Sequence, residues 1–573
     1  PDLTAKKGID LNDLNNNILN KYHASRKLPE FTQEDITSAK AKRSSAPLTD
    51  LNTSLESLSN PLLAINTIGS NNWVVSGKKT ANGMPIMAND PHRKIEQPSL
   101  RYWVHLVAPG WNVIGGGEPV LPGVSIGHNQ YGAWGLTVFA IDQEDIYVYD
   151  INPKNKNQYR YKGRWKEMRL INESIPVKNT SPEHTVLKYT VHGPVLWEDP
   201  TKHKAYALRA AWLDIGAAPY LASLRMDQAK TWKEFREACT YSGLPGENMI
   251  WADREGNIGW QAVGLAPLRT GWDGALPVPG DGRYEWDGYA PIQSLPHLLN
   301  PKEGYWASAN EDNVPEGHPA QYSYFHADKF RINRINEVLE ASNTITVSDT
   351  MALQYDELSI PARTIVPLLL SLDHTDRLAK NQASKAALEA LQHWDYKMAV
   401  DSIAATVFDE WGTLIKDTML AKVAVEREGK QYPAYLSRDK RVSWLISPET
   451  FPAEDFVKAP MVARNELLVS SFELAISNLV ASLGPDVGAW QYGKTKHSEI
   501  IHPLGDLVNE ATQAQVAVEP IPKGGSVDTV NLAYFDDTDN QRAGPSFRII
   551  VDTSDWDLTV GTNTPGQSGD SRD

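Results

Sequence analysis

Ser70, which follows Gly69 at the start of a strand-like run, is the residue best placed to act as a nucleophile. A serine hydroxyl is a poor nucleophile at its free pKa and needs a base within hydrogen-bond reach. Cleavage of the Gly69–Ser70 bond would supply that base, because the released α-amine has an unperturbed pKa of about 7.7–8.0. Glycine suits the position before the cut, since no side chain crowds the attack of Ser70 Oγ on its carbonyl. The same residues also suit a turn before a strand.

Short motifs follow Ser70 in a fixed order along the chain. They are Ala-Asn-Asp-Pro-His at 88–92, Ile-Gly-His-Asn at 126–129, Trp-Gly-Leu-Thr at 134–137, Tyr-Trp-Ala-Ser-Ala-Asn at 305–310, Arg-Ile-Asn-Arg-Ile at 331–335 and Asn-Thr-Pro-Gly-Gln-Ser-Gly at 563–569. In this order and spacing, the chain from about residue 60 to the C-terminus resembles the penicillin amidase family of N-terminal-nucleophile hydrolases. The resemblance implies that Ser70 is a catalytic nucleophile and that Gly69–Ser70 is a self-processing site.

The resemblance also implies roles for four residues around Ser70. Val138 and Asn310 fall where the family holds the oxyanion, the first through its backbone N–H and the second through its side-chain NH₂. His92 falls where a backbone N–H contacts the hydroxyl of the nucleophile. Arg331 matches an arginine near the terminal amine, where a fixed positive charge would lower the pKa of that amine. From the residues alone, Asn310 fits an exposed loop amide and Arg331 a surface cation at a helix start.

Arg93 and Leu136 are the predicted substrate-binding residues. Arg93 follows His92, where phenylacetyl-specific members of the family carry a phenylalanine, and Leu136 belongs to the Trp-Gly-Leu-Thr motif. An arginine in that wall would pair with an acidic acyl tail, or it would point to solvent or to a carboxylate such as Glu96. The acyl group therefore stays open among β-lactam side chains, acyl-homoserine lactones and N-succinyl or other N-acyl amino acids.

Asp142, Glu144 and Asp145 fall where family members hold Ca²⁺ through two carboxylates and a backbone carbonyl. Hard oxygen ligands closely spaced in a loop suit Ca²⁺. The position that matches a further family aspartate, near Ala320, carries no carboxylate, and the family's small-subunit glutamate lies outside this chain. The resemblance thus predicts a structural calcium site with an incomplete ligand set, and it predicts no organic cofactor.

A competing motif, Gly-Val-Ser-Ile-Gly at 123–127, matches the G-x-S-x-G nucleophile elbow, and His128 follows it directly. The elbow requires a strand before the serine and a helix straight after it. Residues 129–135 are glycine-rich and predict no stable helix. A serine esterase acting through Ser125 is therefore the alternative from another enzyme class. A non-catalytic binding protein on the same scaffold is the alternative outside catalysis.

Composition excludes several classes of protein. The net charge of −15 and the lack of a long basic cluster argue against nucleic acid or anionic lipid as the main partner. No run of eighteen apolar residues occurs, so the sequence predicts no membrane-spanning segment. The single cysteine, Cys239, excludes an internal disulfide. The first residues do not form a secretory signal, yet the family is usually exported, so the resemblance implies a periplasmic or secreted protein.

The order of the predicted elements indicates an α+β fold. Residues 1–69 are interpreted as the end of a small-subunit region and a spacer, with a short amphipathic helix over residues 11–19, and we expect the chain to begin late within that region. Residues 70–573 are interpreted as the large subunit of an αβ heterodimer. Strand-like runs flank helical spacing over about 332–485. The resemblance implies the four-layer αββα sandwich of the N-terminal-nucleophile hydrolases with an inserted helical region.

Overall fold

The computed structural model describes residues 6–11, 14, 16–26, 69–216, 218–373, 375–423, 425–427, 430–432, 437–500, 502 and 510–570. Short apolar runs bounded by glycine and proline form strands, as their pattern predicts. The first of two seven-stranded sheets contains Ser70 and comprises Gly69–Val75, Ile86–Lys94, Tyr305–Ser308, Tyr534–Phe535, Gln541–Pro545, Phe547–Asp552 and Val560–Asn563. The second sheet comprises Tyr102–Ala108, Trp111–Gly117, Ile126–His128, Gly132–Val138, Glu247–Asp253, Ile258–Val263 and His297–Leu299.

The two sheets pack face to face, and helices cover the outer face of each. Helices Phe330–Ala341 and Val347–Gln354 lie on the first sheet, and helix Trp232–Cys239 lies on the second. Successive residues of a strand face opposite sides, and Trp73 and Val74 illustrate the result. Trp73 packs in a cluster with helix residues, whereas Val74 packs between the sheets. The core therefore has the four layers, α, β, β and α, that the resemblance implies.

A third sheet and four two-stranded ladders make up the rest of the described β-structure. The third sheet comprises Glu144–Asn152, Asn155–Tyr161, Arg164–Glu167, Val195–Asp199, Lys204–Ala210 and Val278–Pro279. The ladders pair Arg169–Ile175 with Glu183–Tyr189, Pro267–Arg269 with Trp286–Tyr289, Val425–Arg427 with Lys430–Tyr432, and His497–Ile500 with Val518–Pro522. The loop between strands Gly132–Val138 and Glu144–Asn152 links the second sheet to the third.

Helices dominate the chain between Phe330 and Leu483, where their apolar spacing predicts them. Large side chains such as Trp411, Phe472 and Trp490 form the core of this region. The described α-helices are Asn20–Arg26, Ser223–Met226, Trp232–Cys239, Phe330–Ala341, Val347–Gln354, Ile360–Leu370, Thr375–Leu378, Gln382–Gln392, Ile403–Val423, Arg438–Ile446, Glu454–Lys458, Pro460–Leu483 and Glu510–Val516. The division into two subunits stays a prediction.

Helix Pro460–Leu483 is, among the described helices, the one long and apolar enough to cross a membrane by length and composition alone. The sequence predicts no such segment, because polar residues interrupt its apolar ones. In the fold, Leu468, Phe472 and Ile476 are buried in the core of the helical region. Packing inside the protein therefore accounts for the apolar character of these buried positions.

The N-terminal helix differs from its predicted position. The sequence predicts a helix over residues 11–19, whereas the structure has a 3-10 helix at Asn16–Leu19 followed by an α-helix at Asn20–Arg26. Ile18 is buried, but Leu11 is 53% exposed. Over its described residues, this segment therefore does not bury the whole predicted apolar face. The predicted linker before Gly69 lies outside the described residues.

Candidate active site

Ser70 is the second residue of strand Gly69–Val75, and only 1% of its surface is exposed. One neighbouring strand places His92 opposite Gly69. The neighbouring strand on the other side ends just before Asn310. The chain is continuous from Gly69 to Ser70, so the nitrogen of Ser70 is a peptide N–H in this structure. The first sheet thus brings three of the predicted residues to one point.

The side chain of Asn310 contacts both the backbone nitrogen and the hydroxyl of Ser70. Its Oδ1 accepts a hydrogen bond from the Ser70 N–H at 2.7 Å, and its Nδ2 donates to Ser70 Oγ at 3.3 Å. The backbone of Asn310 is left-handed, with φ at 70°, a conformation that costs most residues roughly 1–2 kcal/mol and that asparagine tolerates best after glycine. This backbone geometry aims one amide at the nitrogen and the hydroxyl of Ser70.

Arg331 determines which way the Asn310 amide points. Its Nη2 donates to Asn310 Oδ1 at 3.1 Å, and its Nη1 donates to the Ser70 carbonyl at 2.9 Å. A guanidinium carries donors only, so the atom of Asn310 that faces Arg331 has to be the oxygen. The NH₂ group then faces Ser70 Oγ, which is the orientation that an oxyanion donor needs.

Arg331 is a buried cation whose hydrogen bonds go to neutral oxygens. It is 5% exposed, and its described acceptors are the oxygens of Ser70, Asn71 and Asn310. Burial lowers the pKa of Arg331 to about 10, and the charges of Glu311 and other carboxylates oppose that shift. The group therefore stays charged at neutral pH. After cleavage, this charge would favour the neutral, basic form of the Ser70 α-amine.

The imidazole of His92 is fully buried and pairs with Asp90. Its Nε2 lies 3.0 Å from Asp90 Oδ2, and its Nδ1 has no hydrogen-bond partner in the described structure. Burial, followed by the charge of Arg331, lowers the pKa of His92 well below its usual value, so the ring is neutral. Burial also raises the pKa of Asp90 to about 8. The backbone contact with the Ser70 hydroxyl that the resemblance implies for His92 stays a prediction.

Val138 ends strand Gly132–Val138 of the second sheet and lines the cleft beside Gly69 and Asn310. Its carbonyl accepts from Asn248 Nδ2 at 3.2 Å, and Asn310 Nδ2 lies 3.5 Å from the same oxygen. The backbone of Val138 is therefore next to the predicted side-chain donor. Its own role as an N–H donor to the oxyanion stays a prediction.

Asn89 ties the strand of Val138 to the strand of Ser70. Its Oδ1 accepts from the Leu136 N–H at 2.8 Å, while its Nδ2 donates to the carbonyls of Leu136 at 3.0 Å and Asn71 at 2.7 Å. Gly135 leaves room for this contact, because a Cβ at that position would lie 2.8 Å from Asn89 Oδ1. The motifs at 88–92 and 134–137 are therefore two sides of one contact between the sheets. The side chain of Leu136 is buried, and its substrate-binding role stays a prediction.

Among the described residues, the ion pair of Glu96 is with Lys94, at 2.9 Å, and not with Arg93. The Nη1 of Arg93 donates to the carbonyl of His92 at 3.2 Å, and the side chain is half-buried. The positive charge of Arg93 acts on Glu247, which is 3% exposed. Burial raises the pKa of Glu247 to about 8. The structure thus places Arg93 beside buried polar groups rather than on a freely solvated surface.

The three predicted calcium ligands have different partners. Arg269 bridges two of them, with its Nη2 3.1 Å from Asp142 Oδ2 and its Nε 2.8 Å from Asp145 Oδ2. The carboxylate of Glu144 instead accepts a hydrogen bond from the hydroxyl of Tyr22 at 2.5 Å. The two aspartates therefore share one site, and the side chain of Glu144 faces the N-terminal segment.

Asp145 retains an oxygen that a hard cation would bind. Its Oδ1 is buried without a hydrogen-bond partner among the described residues, and the charge of Arg269 balances only one of the two carboxylates. No group of three His, Cys, Asp or Glu side chains that could hold a metal ion occurs in the described part of the chain. The donor set therefore fits a cation such as Ca²⁺ only if backbone carbonyls or water complete its coordination.

Ser125 does not lie on a nucleophile elbow. A strand, Ile126–His128, follows it where the elbow requires a helix. The N–H of Ser125 donates to the carbonyl of Gly116 at 3.0 Å. The ring of His128 stacks on Trp556, with 4.7 Å between ring centroids. The esterase interpretation thus lacks the local geometry that it requires.

Sequence reasoning missed three residues that organise the site, namely Asn71, Asn89 and Asp90. Each lies beside Ser70 or inside a motif that carries the resemblance, but a motif does not state which atoms meet. Strand alternation is the one available signal, because it places Asp90 and His92 on the same face. Their partner Asn71 lies on the neighbouring strand, so the contact depends on strand register.

Residues 9–573 match the family described as penicillin amidase. The chain belongs to this family. Acyl-homoserine lactone acylase QuiP of Pseudomonas fluorescens (strain Pf0-1) is 28% identical over 548 residues, covering 90% of this chain and 65% of that protein. Penicillin G acylase of Escherichia coli is 31% identical over 332 residues, or 57% of this chain and 39% of that protein. The chain thus spans about two thirds or less of these curated relatives.

Among solved structures, a thermostable penicillin G acylase from Alcaligenes faecalis matches with a TM-score of 0.63 and 22% identity. The match covers 87% of this chain and 91% of that one. At this identity the similarity shows the fold alone. The predicted α+β fold of the N-terminal-nucleophile hydrolases is therefore confirmed, with the penicillin amidase family as its context.

Replacing Asn310 tests its predicted contribution to oxyanion stabilisation. We expect Asn310→Ala to lower kcat by about 10²–10³-fold, the usual effect of removing one oxyanion donor, with little change in KM. The measurement is steady-state kinetics of the cleaved protein on an amide that the wild type hydrolyses. Asn300→Ala is the matched control, because Asn300 is also left-handed, with φ at 49°, but is exposed. Asn310→Ala turnover equal to that of the control would contradict the assignment.

Proposed function

We propose that this member of the penicillin amidase family is a self-processing amidohydrolase that cleaves an N-acyl bond to a carboxylic acid and an amine. The observation that carries the proposal is the double contact of Asn310 with the nitrogen and the hydroxyl of Ser70. The Ser70 hydroxyl and the Ser70 nitrogen both lie beside the buried amide of Asn310. This arrangement suits catalysis by an N-terminal serine. The names of the relatives, which are amide-cleaving acylases, support the same reaction class.

Processing and turnover use the same serine. Hydrolysis of the Gly69–Ser70 bond leaves a carboxylate on Gly69 and a free α-amine on Ser70. In turnover this amine takes the proton of Ser70 Oγ, through a water, while Oγ attacks the acyl carbonyl. The Val138 N–H and the Asn310 NH₂ donate to the oxyanion. The substrate amine leaves with a proton, and water hydrolyses the remaining acyl-Ser70 ester to the acid.

The acyl group of the substrate is proposed from Arg93 and Leu136, the predicted substrate-binding residues. Relatives are named for penicillin G and for acyl-homoserine lactones, and both substrate types stay alternatives. Arg93 next to buried polar groups favours an acyl chain that ends in a carboxylate, as in N-succinyl compounds, with Leu136 as an apolar wall. Comparing kcat/KM for N-succinyl and N-butyryl amides of one amine tests this, and a preference for the uncharged chain would contradict it.

The processed protein is proposed to be an αβ heterodimer with a periplasmic or extracellular location. A relative from Pseudomonas sp. (strain SE83), 26% identical over 87% of this chain and 64% of its own length, is named a penicillin acylase 2 proenzyme. That name supports processing into subunits. Fractionation of cells that express the full gene tests the location, and enzyme confined to the cytoplasm would contradict it.

Self-processing has a direct test in the N-terminus of the large fragment. Protein expressed from the full gene should yield a fragment that begins at Ser70, whereas Ser70→Ala should stay uncut. Intact mass and N-terminal sequencing measure both. Ser125→Ala is the control for the esterase alternative and should process and turn over as the wild type does. A folded wild-type chain that stays uncut would remove the free amine base and would favour a non-catalytic binding protein.

We propose that Asp142 and Asp145 hold a structural Ca²⁺. At a hundredfold excess over its Kd, a bound ion would add about 2.7 kcal/mol to the free energy of unfolding, so Ca²⁺ should raise Tm by several degrees over EDTA. Asp145→Asn should abolish this difference. Asp150→Asn, at an exposed carboxylate farther along the same strand, is the control that should keep it. Equal Tm values in Ca²⁺ and EDTA for the wild type would overturn the proposal.

A further inference from the structure

Asn71, the residue after the nucleophile, lies between two buried ionisable groups. Its Oδ1 accepts from Arg331 Nη1 at 2.6 Å, and its Nδ2 donates to Asp90 Oδ2 at 3.0 Å. The same Nδ2 donates to the carbonyl of Val530 at 3.0 Å. Asn71 and Asp90 are both fully buried. One amide therefore joins a guanidinium on one side to a carboxyl group on the other.

These three neighbours, Arg331, Asp90 and Val530, allow only one orientation of the Asn71 amide. Arg331 carries donors only, so it needs the oxygen of Asn71. The Val530 carbonyl is an acceptor only, and Asp90 Oδ2 accepts from the same nitrogen, so both need the NH₂ group of Asn71. A flipped amide would set donor against donor and acceptor against acceptor in a buried site, which is costly. Asp90 therefore holds the Asn71 oxygen against Arg331 although Asp90 and Arg331 form no ion pair.

Arg331 in turn contacts both Ser70 and Asn310. The Nη1 that bonds Asn71 also donates to the Ser70 carbonyl at 2.9 Å. The Nη2 donates to Asn310 Oδ1 at 3.1 Å, and that oxygen accepts from the Ser70 nitrogen. Hydrogen bonds from a charged donor are stronger than neutral ones. A shift of the guanidinium would thus disturb both the oxyanion donor and the nitrogen that becomes the base.

We propose that Asn71 and Asp90 are positioning residues for the reaction of Ser70. Asp90 orients the Asn71 amide, and Asn71 holds Arg331 against Ser70 while it keeps the Asp90 carboxyl group out of contact with the guanidinium. The inference rests on the proposed function, in which the Ser70 α-amine is the base. A carboxylate in contact with Arg331 would cancel the charge that favours the neutral amine.

Other charged groups also face this network and belong to its electrostatics. Besides Asp90, the carboxylates that act on Arg331 are Glu311, Asp328 and Asp528. Arg548 acts on Asp90 and, with Arg93, on the neutral ring of His92. Asn71→Leu leaves Asp90 and all of these groups in place, so a change in its pH profile would report on the contacts of Asn71.

Asn71→Leu removes the acceptor of Arg331 and is the first test. In the processed enzyme we expect kcat to fall on the order of tenfold to a hundredfold, the effect of losing a hydrogen bond to a charged group, with KM little changed. The acid limb of kcat/KM against pH, which reports the free enzyme's base, should move to higher pH because the guanidinium no longer sits against the amine. Asn72→Leu is the control, since Asn72 is equally buried and bonds Asn248 instead.

Asp90→Asn is isosteric and tests the outer residue without a change of volume. We expect a smaller fall in kcat, and no additional fall when Asp90→Asn is combined with Asn71→Leu, because Asp90 acts through Asn71. Full additivity of the two changes, or kcat and pH profiles within twofold of the wild type, would overturn the inference. N-terminal sequencing separates the two proposals, since a wild type without a free Ser70 amine refutes the proposed function, whereas processed, unaffected variants refute this inference alone.

Discussion

The buried guanidinium of Arg331 is the constraint on which the site depends. It offers only donors, so every group around it has to present an oxygen. The Ser70 carbonyl, Asn71 Oδ1 and Asn310 Oδ1 do so. This requirement sets the orientation of two amides and leaves the NH₂ of Asn310 facing Ser70 Oγ. Because these acceptors are neutral, the charge of Arg331 is not cancelled by direct contact and can act on the nitrogen of Ser70.

The fold contributes by fixing two sheets relative to each other. Ser70 lies in the first sheet and the backbone of Val138 in the second, so the predicted oxyanion stabilisation by Val138 depends on the separation of the two sheets. Asn89 supplies that link through hydrogen bonds to Leu136 and Asn71. The four-layer packing buries the link, and burial removes water as a competing partner. Position and electrostatics therefore come from the same interior contacts.

Much of the architecture follows from the sequence, whereas the contacts inside the site do not. Apolar spacing predicts the strands around Ser70 and the helices after Arg331, because an element that buries one face has apolar residues at regular intervals in its sequence. The N-terminal segment differs from its prediction, since Ile18 is buried from the 3-10 helix Asn16–Leu19 whereas Leu11 of the predicted apolar face is exposed. The contact between Asn71 and Asp90 is not predicted from the sequence, because it depends on how two strands pair. Motif resemblance locates the site, and only the fold shows which amide oxygen faces which cation.

The identity of the acylated residue tests the central claim most directly. The processed enzyme would be mixed with an amide substrate, quenched in acid within one turnover, digested and mapped by mass spectrometry. The account predicts the acyl mass on the peptide that begins at Ser70, attached through its hydroxyl, and none on the peptide that carries Ser125. Acylation of Ser125, or turnover without any acyl-Ser70, would contradict the account.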